Sequence, residues 1–185
     1  MAGPTGPSAA RSIANGVTFA GIDRLSQLTL IMEFIVTDRN DDIAVLNSLI
    51  KTTLDSRKGF RDAAEDAENI QYSSLFTEFA EERGRVATRL QAEVRRLGGN
   101  PEDETSFLAA AHRGFMNLKE AIAGRDDRAI VNEVERGEDH IKAKYEEALC
   151  DGSLAPATRD VITEAFESVR AGHDRASALK HSLAQ

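Results

Sequence analysis

One stretch of the sequence constrains the fold more than any other, the segment from Gln71 to Leu97. Its apolar residues recur three, four or seven positions apart, at Leu75, Phe76, Phe79, Val86, Leu90, Val94 and Leu97. This spacing predicts an amphipathic helix that buries one face. The stripe is interrupted at Glu82 and Arg83, where a helical bundle normally has apolar residues. We therefore expect this helix to carry either a functional site or the remnant of one.

The composition extends this expectation to the whole chain. The 185 residues include no tryptophan, and glycine and proline are sparse after residue 40, whereas alanine, leucine, glutamate and arginine are abundant. Such a composition favours helices, and no segment from residue 41 onward alternates apolar and polar residues as a strand would. The sequence therefore predicts an all-α protein with one domain and an N-terminal arm.

Charge and cysteine content exclude several functional classes. The net charge of -8 argues against a surface for nucleic acid or anionic lipid, because both require a basic footprint. Cys150 is the single cysteine, so no disulfide framework is expected and a reducing, cytoplasmic setting is favoured. No apolar run approaches the roughly 20 residues that a membrane-spanning helix needs. We therefore expect neither a nucleic-acid partner nor a membrane span.

The helix-capping and helix-terminating residues of the sequence, together with its apolar stripes, predict five helices, over residues 41–67, 71–97, 104–123, 127–149 and 156–183. Asp41 or Asp42 is expected to cap the first helix, and Gly98-Gly99-Asn100-Pro101 to end the second. Short connections predict two antiparallel pairs, joined by a long crossover that carries the short helix. This order indicates a ferritin-like four-helix bundle over residues 41–183, with an ordinary five-helix bundle as the alternative.

The first 37 residues form the predicted N-terminal arm. Residues 1–11 are rich in glycine and proline and are expected to be disordered. Residues 12–37 are mildly apolar and suit a docking or oligomerisation segment. A second interpretation is that Met32 is the natural start of the protein.

Four segments of the sequence resemble a known group of proteins: GFRDAAEDAEN, FTEFAEERGR, NEVERGEDHIKAKYEEAL and RAGHDRASAL. With them, residues 41–183 are similar to an uncharacterised bacterial family of ferritin-like four-helix-bundle proteins that contain a domain of unknown function. The resemblance implies the ferritin-like fold and residence in the bacterial cytoplasm, and it implies no established reaction.

A dinuclear metal centre in such a bundle needs a Glu from each of two helices and a Glu-x-x-His from each of the other two. The residues closest to this pattern are Glu82, Glu135, Glu138 and His173, which we take as candidate ligands for iron or manganese. The pattern is incomplete, because Arg83-x-x-Val86 and Arg170-x-x-His173 occupy the places of the two Glu-x-x-His motifs.

The arginines suggest a different use for the same positions. Arg83 and Arg170 would bring guanidinium groups into the space of a metal site, so we expect a core ion pair among Arg83, Glu138 and Arg170. The sequence therefore favours a non-catalytic helical-bundle protein that acts through its surface as a homo-oligomer. The alternative is an iron- or manganese-binding oxidoreductase or metal-handling protein that uses the four candidate ligands.

Overall fold

The computed structural model describes residues 24–103, 116–124 and 127–183, and within these ranges all regular structure is helical. The chain divides between Thr37 and Asp38 into two compact units. Across the described ranges, no helix is both long and apolar enough to cross a bilayer. The prediction of an all-α chain is confirmed for these residues.

The first helix, α1, is longer than predicted and spans Arg24–Asp66. The expectation that Asp41 or Asp42 caps a helix that starts there is wrong. No glycine or proline interrupts residues 24–40, so nothing in this segment stops the helix. The buried carboxylate of Asp42 instead accepts hydrogen bonds from the Thr158 hydroxyl at 2.6 Å and the Ala155 backbone N–H at 3.2 Å. Asp42 thus ties α1 to the start of another helix.

Helix α2 spans Ile70–Arg96 and has clear end signals. The side chain of Asn69 accepts a hydrogen bond from the Gln71 backbone N–H at 2.9 Å and caps the start. At the other end Gly98 adopts a φ of 80°, and the N–H groups of Gly98 and Gly99 each donate to carbonyls of the last turn at 2.9 Å. The predicted stop at Gly98-Gly99 is confirmed.

The remaining described helices are α3 (Met116–Ala123), α4 (Asp127–Cys150) and α5 (Pro156–Leu183). The predicted bounds of α4 and α5 are confirmed within a residue, and Pro156 opens α5 as expected. Of the predicted crossover helix, residues 104–115 lie outside the described residues. Cys150 is a free, exposed thiol at the end of α4.

Side-chain contacts in the second unit establish how its four long helices run. The Ser73 hydroxyl donates to the Ala64 carbonyl at 2.9 Å, and the Asn47 amide donates to the Asn100 carbonyl at 3.1 Å, so α1 and α2 are antiparallel. Two further pairs of helices also run antiparallel. The contacts His173–Asp139 and Tyr145–Phe166 join α4 to α5, and the contacts Arg89–Glu164 and Arg175–Glu78 join α2 to α5. Helix α1 contacts α4 through Thr53–Tyr145 and the start of α5 through Asp42–Thr158. Helices α2 and α4 both run antiparallel to α5 and therefore run in the same direction as each other.

Two apolar clusters fill the interior of these four helices. The first cluster centres on Leu46, Leu90 and Ile162, and also contains Tyr145. The second is aromatic, with Phe60 stacked on Phe79 at a centroid distance of 5.1 Å. Between the two clusters, α2, α4 and α5 each bury one position that is not a large apolar residue, whereas α1 buries two, Ser56 and Gly59. Of these two, Ser56 has the polar side chain, and with the single positions of the other helices it defines the polar layer described below.

Candidate functional site: a buried polar layer

The polar layer consists of one residue from each long helix: Ser56, Arg83, Glu138 and Gly172. Each lies in sequence between buried residues of the first cluster and buried residues of the second. On α2, for example, Ala80 precedes Arg83 and Val86 follows it, each three residues away, which keeps all three on one helix face. The helical periodicity that buries the neighbouring residues therefore buries the charges as well.

An ion pair across the bundle is the centre of this layer. The Arg83 guanidinium donates through Nη2 to Oε2 of Glu138, and both side chains are fully buried, with 0% exposure. The second guanidinium nitrogen, Nη1, donates to Oε1 of Glu82 at 3.2 Å. The same Glu82 oxygen accepts from the Ser168 hydroxyl at 2.6 Å. One arginine thus joins α2 to α4 directly, and through Glu82 and Ser168 the network reaches α5.

Gly172 provides the space that this ion pair occupies. A Cβ atom built at Gly172 would lie 2.7 Å from Nη2 of Arg83 and 2.9 Å from Oε2 of Glu138. It would also lie 3.4 Å from Cε1 of Phe79. Separations below 3.0 Å are closer than van der Waals contact permits, so any side chain larger than hydrogen at position 172 would displace the pair.

Burial controls the electrostatics of the layer. Removal from water raises the pKa of Glu138 from 4.5 to about 7, and the nearby negative charge of Glu82 adds to this. The attraction of Arg83 and a weaker attraction of His173 oppose the rise but do not cancel it. Among the described residues, Oε1 of Glu138, Nε of Arg83 and the Ser56 hydroxyl are buried without a hydrogen-bond partner. The pair is thus incompletely compensated for its loss of hydration.

A second polar contact lies on the side of the layer that faces the first cluster. The hydroxyl groups of Thr53 and Tyr145 are 2.8 Å apart, and the Thr53 hydroxyl also lies 2.7 Å from the Leu49 carbonyl. Burial raises the pKa of Tyr145 from 10.0 to about 12. The phenol therefore stays protonated at neutral pH and acts as a hydrogen-bonding group.

The candidate ligands from the sequence are distributed over different parts of the bundle. Glu82 and Glu138 meet at Arg83, whereas Glu135 pairs with Lys180 and has a side chain that is 15% exposed. The His173 ring nitrogens face carboxylates, with Nε2 3.0 Å from Asp139 and Nδ1 3.1 Å from Asp174. Within the described residues, no group of three or more His, Cys, Asp or Glu side chains is placed to hold a metal ion.

Two of the three residues expected in a core ion pair do form one. Arg83 and Glu138 are in direct contact, but Arg170 is exposed on α5 and lies outside the pair. The inward positions of α5 are Ile162, Ala165, Val169, Gly172 and Ala176. Arg170 follows the inward Val169 by one residue, a rotation of about 100° that carries its side chain away from the core.

Gly172 and Ser56 were not predicted from the sequence. An isolated glycine inside a helical pattern often marks a close approach, and this signal was present because Gly172 lies between the buried residues Val169 and Ala176. A small hydroxyl such as Ser56 interrupts an apolar stripe less visibly than a charge does. Its position became informative only when the other helices placed polar groups at the same level.

The layer is suited to holding the bundle in one register and contains no activated nucleophile. The Arg83 guanidinium and the Glu138 carboxylate bind each other, and the Thr53 hydroxyl faces a phenol with a raised pKa rather than a base. Sliding α2 against α4 by one turn would separate the two charges in an apolar interior, which is costly. Buried polar pairs that penalise alternative alignments in this way are known from coiled coils.

Comparison with known proteins identifies a family and gives no reaction. No curated protein matches the chain. The sequence matches a family over residues 41–151, more than half of its length, and the matched part includes both members of the buried ion pair. The chain therefore belongs to the DUF2383 family, which is described as a domain of unknown function.

Proposed function

We propose that this chain is a ferritin-like four-helix-bundle protein with a non-catalytic role, whose core ion pair occupies the level where metal-binding bundles place their ligands. Two antiparallel helix pairs and a long connection between α2 and α4 support the ferritin-like assignment. The observation that carries the functional part is the fully buried contact between Arg83 and Glu138.

The residue types at this level support the absence of a dinuclear centre. Such a centre needs about four carboxylates to neutralise two divalent cations. The four long helices contribute Ser56, Arg83, Glu138 and Gly172 here, and Glu82 adjoins Arg83, which gives two carboxylates and one permanent cation. A metal ion would have to displace or tolerate the guanidinium. The donor set therefore does not fit a dinuclear metal, and the function is assigned to the protein surface.

The alternative function is that of an iron- or manganese-binding oxidoreductase or metal-handling protein using Glu82, Glu135, Glu138 and His173. It requires Glu135 and His173 to leave Lys180 and Asp139 and to turn toward Glu138. It also requires Arg83 to leave the core.

Elemental analysis of the full-length protein distinguishes the two functions. The protein is produced in cells supplemented with iron and manganese and purified without chelators. We expect far less than one metal ion per chain. Close to two ions per chain, lost in Glu138→Gln, would overturn the proposal and favour the metal-binding alternative.

A matched pair of variants tests the role of the arginine itself. Arg83→Glu replaces the buried cation with a second carboxylate at the level of Glu138, whereas Arg89→Glu makes the same charge change on the exposed surface of α2. If the guanidinium excludes metal, only Arg83→Glu should gain bound metal. Circular dichroism on both variants verifies that each remains helical.

A further inference from the structure

We draw no further inference here: the strongest candidate, the surface patch of exposed apolar side chains Leu25, Leu28, Met32 and Val36 at the start of α1, carries no proposal, because nothing in the structure shows what covers it.

Discussion

Two arginines of α2 each pair with a glutamate of another helix, and the two pairs differ in their exposure to water much more than in their chemistry. The Arg83–Glu138 side chains are fully buried, whereas the side chains of Arg89 and Glu164, 3.0 Å apart, are 55% and 65% exposed. The exposed pair keeps its hydration and is screened by salt, so its net contribution to stability is small. The buried pair has lost its hydration, and each charge depends on the other. Position on the helix, and not residue type, determines what each pair contributes.

The largest expected effect comes from removing one member of the buried pair. Arg83→Met should lower the free energy of unfolding by about 3–5 kcal/mol at pH 8, because Glu138 must then be buried either charged without its partner or protonated at a pH where the unfolded chain is ionised. Arg83→Met/Glu138→Leu removes both charges and should recover most of this loss. Urea unfolding of the two variants and the wild type measures both differences. If the free energy of unfolding of Arg83→Met is within about 1 kcal/mol of the wild-type value at pH 8, water must reach Glu138 in the folded variant.

The cost of Arg83→Met should depend on pH in a direction fixed by Glu138. Its folded-state pKa of about 7 lies above the unfolded value of 4.5, so the folded protein binds a proton that the unfolded chain releases between these pH values. This contribution to stability is present below about pH 4.5 and is lost as the pH rises through about 7. Without Arg83 the carboxyl pKa rises further. The variant should therefore lose less stability at pH 5 than at pH 8.

A change at Gly172 should have a smaller effect on the same pair. Gly172→Ala places a methyl group 2.7 Å from the Arg83 guanidinium, and the buried side chains have little room to withdraw, so we expect a loss of about 1–3 kcal/mol. Gly152→Ala is the control, because a Cβ at Gly152 meets no atom within 4 Å.

A double-mutant cycle makes the test of Gly172 specific. In the Arg83→Met background the guanidinium is absent, and Gly172→Ala should then cost measurably less than it does in wild type. Equal costs in the two backgrounds, measured by urea unfolding, would mean that the methyl group clashes with the helices themselves and not with the ion pair.

Local signals in the sequence predicted most helix ends. Gly98-Gly99 and Pro156 act within one or two residues of their own position, so their effect can be read without the rest of the fold. The start of α1 could not be obtained in this way. Asp42 has the residue type of a helix cap, but its carboxylate serves α5 across the bundle, and only the fold brings Thr158 to it.

Two of the four residues of the polar layer could be predicted from the sequence, and the other two could not, for a related reason. A charge on an apolar stripe is visible in one helix, and this signal identified Arg83 and Glu138. Partners on different helices depend on rotations that a stripe fixes only to within about one residue, or 100°. Arg170 was therefore placed in the core although Val169 and Gly172 occupy the inward positions. The metal prediction for Glu135 and His173 carries the same uncertainty of rotation and stays a prediction.

The smallest expected effect concerns the exposed pair, and it completes the comparison. Arg89→Ala should change the free energy of unfolding by less than about 1 kcal/mol, because water replaces the lost contact with Glu164. Its cycle with Glu164→Ala should give a coupling that shrinks further in high salt, whereas the coupling between Arg83 and Glu138 should change little with salt. A surface coupling as large as the buried one would contradict the role assigned to burial. The difference in salt dependence, more than the size of either coupling free energy, distinguishes an ion pair that holds the core in register from one that lies on the surface.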